Sequence, residues 1–251
     1  MADVALHPLE SDSPLICYLD IKSPYAYLAK DPTRQLERDF GIEVDWRPLT
    51  LNIPSFLGSA RTDKKGKVVE SKRSPRQWQS VRYAYMDAKR YARLKDILVY
   101  GPQKIWDSSL AGVAMLWTKR EGRTVLARWL DLTYERFWQR DLDIEDADVV
   151  AAIVREAGGD GDGYLAFLAG EGREEHDRLQ AALHPVGVFG VPTYVIDGEI
   201  LFGREHLPTV RWMLGGRDGP APDIAYDSFD VAVAVSAPAE TANAPEGRAR
   251  P

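Results

Sequence analysis

The chain has 251 residues, 45% of them apolar and 28% charged, with a formal net charge of −6. That is enough apolar material for a full core in one compound domain. The acidic balance argues against nucleic acid as a partner, since such binders carry a basic excess, and no apolar window is long enough to span a bilayer. The single cysteine, Cys17, leaves no partner for an intramolecular disulfide. Residues 1–14 lack the basic start and apolar core of a secretion signal. Both features predict a cytoplasmic address.

In chain order, Leu15 to Leu19 is a continuous apolar run, the pattern of a strand covered on both faces, and a strand is expected over 15–20. Cys17 falls inside it and packs as a small hydrophobe. Ser23-Pro24 then gives a strong helix start: serine caps free N–H groups, and proline fits the first helical position. Tyr25, Leu28 and Ala29 recur at the spacing of one helix face. A strand running straight into a helix N-terminus creates positive potential and unpaired N–H groups, suited to an anion or thiolate. The plainer account is that Ser23 is only an N-cap. The helix is expected over 24–39, with a kink or break at Pro32 and a stop at Gly41. A strand at 42–47 completes a βαβ unit, whose crossover makes the two strands parallel neighbours.

Residues 49–74 read as a long loop, of the kind that often serves as a lid. It carries the short basic run Lys64-Lys65-Gly66-Lys67, which reads as a solvated segment. Ser74-Pro75 starts a helix running to Arg93. Further helices are expected at about 103–120, 123–139, 145–157 and 161–183, with breaks at Gly122, Gly158-Gly159 and Gly170 and a cap near Asp143 or Ile144. Trp106, Trp117, Trp129, Tyr134, Phe137 and Trp138 are placed on these helices as core or interface residues.

A second informative segment is Gly187-Val188-Phe189-Gly190-Val191-Pro192-Thr193. An apolar run, an Asp197-Gly198 turn and Ile200-Leu201-Phe202 follow it, which is a hairpin pattern. Proline at the head of a strand belongs at an edge or a special turn, and a cis Val191–Pro192 bond is the usual special case. The backbone of Val191 could then pair with an extended peptide. Gly203 ends the hairpin, and Arg204 to Leu214 is expected as a helix with Glu205 in its first turn.

Ser-Pro-Tyr after the first strand, with Gly-Val-Phe-Gly-Val-Pro-Thr before an Asp-Gly hairpin and Phe-Gly, resembles the DsbA-like branch of the thioredoxin superfamily. Within that branch the chain is most similar to 2-hydroxychromene-2-carboxylate isomerases and kappa-class glutathione transferases, over about residues 14–215. The resemblance implies an α/β, thioredoxin-like fold interrupted by an all-helical insertion. The discontinuous thioredoxin-like part would be 14–50 and 185–215, with 51–184 as loop and helical insertion.

It also implies glutathione as cofactor and a small electrophile, an aromatic one among the candidates, as substrate of an isomerase or transferase. In those families the serine stabilises the glutathione thiolate, a role that falls here on Ser23. The residue before the cis-proline pairs with the backbone of the tripeptide's cysteine, which points to Val191 beside Pro192. The γ-glutamyl group is held at the start of the last helix by a small polar residue followed by Asp. Arg204-Glu205 stands in that place here, a departure from the family pattern. A homodimer stays open. So does a different class of function, a DsbA-like protein without redox cysteines that binds peptides or partners and catalyses nothing.

Other chemistry is weakly signalled. His7, His176, His184 and His206 show no metal-ligand spacing, and Gly158-Gly159-Asp160-Gly161 lacks the preceding strand of a phosphate loop. Lys22 and Arg47 are candidates to hold an acidic substrate. From Arg217 onward the composition is that of a disordered tail. Within it, Phe229, Val231, Val233 and Val235 alternate like a strand.

Overall fold

A computed structural model of the chain describes residues 7–63 and 67–229. The first strand, β1 (Leu15–Leu19), is buried along its whole length, as its unbroken apolar run requires. It leads into α1 (Pro24–Phe40), which Gly41 stops in the left-handed conformation, φ 63°. The chain returns as β2 (Val44–Pro48), parallel to β1 with Leu15 opposite Val44.

Where a single loop was expected, the chain forms a short helix α2 (Ile53–Leu57) and a small antiparallel hairpin of β3 (Ala60–Thr62) and β4 (Val68–Ser71). Helix α3 (Pro75–Arg93) follows, opened by a capping box between Ser74 and Gln77. The insertion then runs through α4 (Ser109–Glu121), α5 (Arg123–Gln139), α6 (Ala147–Glu156), α7 (Gly161–Ala169) and α8 (Glu171–Leu183). The chain comes back to the sheet as β5 (Thr193–Ile196) and β6 (Glu199–Phe202), and α9 (Leu207–Leu214) closes the fold. The four-stranded sheet has the order β2-β1-β5-β6, with β5 antiparallel to both β1 and β6. This is a thioredoxin-like fold with a helical insertion between β2 and β5.

One core joins the two parts. Leu15, Cys17 and Tyr194 of the sheet share it with Trp129, Tyr134 and Trp138 of α5. The insertion also touches the β1–α1 turn directly. The Tyr134 hydroxyl donates to the Asp20 carbonyl at 3.1 Å, and the Trp138 indole donates to the Ile21 carbonyl at 3.1 Å.

Several expected boundaries move. Helix α1 continues through Pro32 without a break, because Ala29, Lys30, Thr33 and Leu36 on either side are buried and packing outweighs the missing N–H. Helix α4 begins at Ser109 rather than near 103, since the carbonyl of Trp106 accepts from the Lys22 ammonium at 3.1 Å and Asp107 accepts the Ser109 N–H at 2.8 Å. Trp106 therefore lies before the helix. Asp146, rather than Asp143 or Ile144, caps α6. The final helix begins only at Leu207, and Arg204–His206 forms a single 3₁₀ turn. The alternating segment that begins at Phe229 lies outside the described residues from position 230 onward.

Candidate active site

The turn between β1 and α1 gathers Ser23, the start of α1 and the loop before β5. Ser23 has the extended backbone of an N-cap, φ −95° and ψ 117°, and its Oγ accepts the Ala26 N–H at 3.2 Å. The first turn of α1 carries no acidic side chain, so the positive end of the helix is uncompensated from within. The Asp20 carboxylate just ahead of it is already committed. It accepts the Leu51 N–H at 2.7 Å and the Lys22 N–H at 3.0 Å, and lies 3.7 Å from the Lys22 ammonium.

The remaining proton of Ser23 faces the other segment. Ser23 Oγ lies 3.5 Å from the carbonyl oxygen of Val191, and the Val191–Pro192 peptide is cis. Among the described residues the N–H of Val191 has no acceptor. Register explains the meeting. β5 is antiparallel to β1 with Thr193 opposite Tyr18, which brings the loop before β5 to the end of the sheet where β1 exits.

Arg204 and Glu205 flank the same end. The Arg204 guanidinium carbon sits 3.8 Å above the Tyr91 ring and 5.9 Å from the Tyr25 ring, and among the described residues it has no carboxylate partner. The Tyr25 hydroxyl is tied to α3 through Asp87 Oδ2 at 3.1 Å and the Ala84 carbonyl at 3.2 Å. Burial, with the Asp87 carboxylate beside it, pushes the Tyr25 phenol up to about 12. The backbone at Gly203 favours glycine, and a side chain there would also displace the mobile end of Glu205. The φ of Gly203 is 111°, and a Cβ there would lie 2.4 Å from the Glu205 carboxyl carbon. Burial holds the Tyr194 phenol well above its usual range; Glu205 adds to that shift and Arg204 opposes it.

The structure therefore brings Ser23, Val191, Pro192, Arg204 and Glu205 to one end of the sheet. It does not bring Arg47 there. Arg47 is fully buried on β2, donating to Asp45 Oδ2 at 2.9 and 2.6 Å and to the carbonyls of His7 and Glu10 at 2.6 Å each. Its guanidinium pins the N-terminal segment to the sheet and has no capacity left for an acidic substrate. Lys22 is likewise engaged, with Asp20 and the Trp106 carbonyl. Tyr25, Asp87 and Tyr91 were not singled out from sequence. Tyr25 stood in the Ser-Pro-Tyr motif, but only the packing of α3 shows what it touches.

A strand-turn-helix site of this kind, facing a cis-proline loop, defines a thioredoxin-superfamily protein. The model of the DSBA-like thioredoxin domain matches residues 15–215, and the chain belongs to that family. Among curated proteins it is similar to a 2-hydroxychromene-2-carboxylate isomerase of Sphingobium xenophagum. The two are 24% identical over 193 residues, which cover 76% of this chain and 92% of the relative. A protein of the same name from Pseudomonas putida is 21% identical over 200 residues, covering 79% and 92%. Two solved structures share the fold. A 2-hydroxychromene-2-carboxylate isomerase aligns with a TM-score of 0.63 at 21% identity, covering 81% of this chain and 95% of that one. The cytosolic disulfide reductase DsbM from Pseudomonas aeruginosa, solved with GSH, aligns with a TM-score of 0.55 at 14% identity, covering 81% and 98%.

Proposed function

We propose that this protein binds glutathione and acts as a glutathione-dependent isomerase or transferase on a small electrophile. The observation that carries the proposal is Ser23: a hydroxyl at the N-terminus of α1, where a thiol oxidoreductase would carry its nucleophilic cysteine, with a proton only loosely committed to Val191. Three further groups suit the tripeptide. The N–H of Val191, which has no acceptor among the described residues, and its carbonyl offer an edge for the backbone of the tripeptide's cysteine. The Arg204 guanidinium has no carboxylate partner among the described residues and matches a carboxylate in its fork geometry. Glu205, whose carboxyl lies beside Gly203, is the group proposed to take the ammonium of the γ-glutamyl group. The relatives' names, with their carboxylate-isomerase activity, favour the isomerase form of the proposal.

When bound, glutathione would supply the thiol that adds reversibly to an electrophilic carbon. The work of the protein is to raise the thiolate fraction at neutral pH. Ser23 donates a hydrogen bond to the sulfur, and the N-terminal dipole of α1 favours its negative charge. Lowering the thiol pKa by about two units takes roughly 2.7 kcal/mol of differential stabilisation, within reach of one hydrogen bond to a charged group plus a helix end. Ser23 itself is buried, and Tyr134 and Trp138 of α5 hold the turn before it through the Asp20 and Ile21 carbonyls.

Calorimetric titration with glutathione is the test. Saturable binding that weakens about tenfold in Arg204→Ala supports the proposal, on the scale of one charged hydrogen-bonded contact. No heat of binding to the wild type removes it. In that event the unpaired N–H of Val191 favours the second reading, a site for an extended peptide with no catalysis.

A further inference from the structure

The formal net charge of −6 conceals a local excess of the opposite sign. From Val68 to Arg93, β4 through α3, seven Lys and Arg stand against two acids. That stretch carries +5 and the remainder of the chain −11. Both acids are already engaged. Glu70 lies 3.9 Å from Arg61, and Asp87 lies 3.2 Å from Arg90 and accepts from the Tyr25 hydroxyl. Arg76 and Arg93 have no carboxylate partner among the described residues.

Apolar side chains stand exposed among these cations. The inner face of α3 buries Val81, Ala88 and Ala92 and holds the Tyr25 hydroxyl. On the outer face Tyr83, Met86, Arg90 and Leu94 follow at intervals of three, four and four, which aligns them in one stripe. Tyr83, Met86 and Leu94 are 60%, 53% and 74% exposed. The hairpin continues this surface. All four residues of β4 are exposed. Val68 and Val69 point to opposite faces of the strand, so neither face is covered. Trp78 fastens the hairpin to α3. Its indole donates to Ser71 Oγ at 3.0 Å, and the guanidinium carbons of Arg73 and Arg82 lie 5.0 and 5.9 Å from its ring.

An uncovered apolar stripe set among cations fits a partner that is anionic and apolar at once. A second copy of the chain, meeting this face across a two-fold axis, would bring +5 against +5. Nucleic acid matches the cations, but its phosphate backbone offers nothing to Val69, Met86 and Leu94. An anionic bilayer satisfies both sets. Its head groups take the Lys and Arg side chains, and its acyl boundary takes the apolar ones. We propose that the outer face of α3 and the strand β4 dock on the surface of an anionic lipid bilayer, with α3 lying in the plane of the head groups. This surface does not depend on the thiol-binding reading.

The test is co-sedimentation of the full chain with phosphatidylcholine vesicles, with and without about 30% phosphatidylserine, at about 0.05 and 0.3 M salt. Wild type is compared with Arg76→Glu/Arg93→Glu and Val69→Ser/Met86→Ser, with thermal melts to confirm that both variants are folded. Wild type is expected to pellet with the phosphatidylserine vesicles alone, and less at high salt. Each cation at such a surface strengthens binding about fivefold, so the charge-reversed variant should lose at least about twentyfold. The serine variant should lose about tenfold. Absence of wild-type binding to phosphatidylserine vesicles overturns the inference, as does binding that high salt leaves unchanged. Full binding by the serine variant, or a single-stranded oligonucleotide bound as tightly as the vesicles, overturns it in favour of a general polyanion site. A concentration-dependent dimer that both variants disrupt, without vesicle binding, overturns it in favour of a second copy.

Discussion

The Ser23 hydroxyl accepts the Ala26 N–H at 3.2 Å and points its proton toward the Val191 carbonyl oxygen at 3.5 Å. The first contact is an ordinary N-cap. The second is far longer than the 2.7–2.8 Å typical of O–H···O bonds, so little is lost if the hydroxyl turns away from it. Ser23 can therefore keep its capping role and still donate to an incoming sulfur. One residue can be both a helix cap and a ligand contact because its lone pairs and its proton serve different neighbours.

Cys17 should take no part in thiol chemistry. It is buried in β1, and burial pushes its thiol far above the usual range. Native protein should not react with a thiol-specific reagent such as dithionitrobenzoate, whereas unfolded protein should release one equivalent. Insulin reduction, which needs an attacking thiolate, should show no turnover. Turnover that persists in Cys17→Ser would contradict this assignment.

A buried histidine makes stability depend on pH. His176 on α8 shares one ring nitrogen with Thr50 Oγ1 at 2.9 Å and the other with Asp177 Oδ1 at 2.9 Å, in a space where a Cβ on Gly112 would collide with the ring. Burial lowers its pKa, against the opposing pull of Asp177. The folded state then binds fewer protons than the unfolded state once pH falls below the ordinary histidine value of about 6.5. Stability present at neutral pH is accordingly lost on acidification, by up to about 1.4 kcal/mol per pH unit between the unfolded and folded pKa values. Melting curves from pH 7.5 to 5.5 should fall more steeply for wild type than for His176→Gln. Parallel curves would contradict the assignment.

What the sequence disclosed was local. The apolar run of β1, the Ser23-Pro24 start, Val191-Pro192-Thr193 and the Asp197-Gly198 turn each carry their signal within a few residues, and all stand in the structure. What stayed hidden depends on distant partners. The start of α4 follows from Lys22 reaching the Trp106 carbonyl, 84 positions away. Arg47 looked like a free cation because its partners include backbone carbonyls of His7 and Glu10, which no side-chain pattern reveals. The short 3₁₀ turn at Arg204 and the stacking of Arg204 on Tyr91 likewise need the position of α3. Phe189 and Phe202 were visible as two aromatics on either side of a hairpin, but only the fold shows that their rings meet.

The central claim is that Ser23 lowers the pKa of a bound thiol. Its most direct test is the thiolate absorbance of glutathione on the protein as a function of pH, in wild type, Ser23→Ala and Ser23→Gly, with thermal melts alongside. Alanine removes both cap and hydroxyl and should cost about 1 kcal/mol of stability, whereas glycine keeps most of the capping preference. With Ser23 as the thiolate partner, the bound thiol in wild type ionises below its free value, and both variants shift that ionisation upward by about one unit or more, whatever their stability. Ionisation at the same pH in all three forms, with only the melts differing, would show Ser23 to be a helix cap and contradict the mechanism.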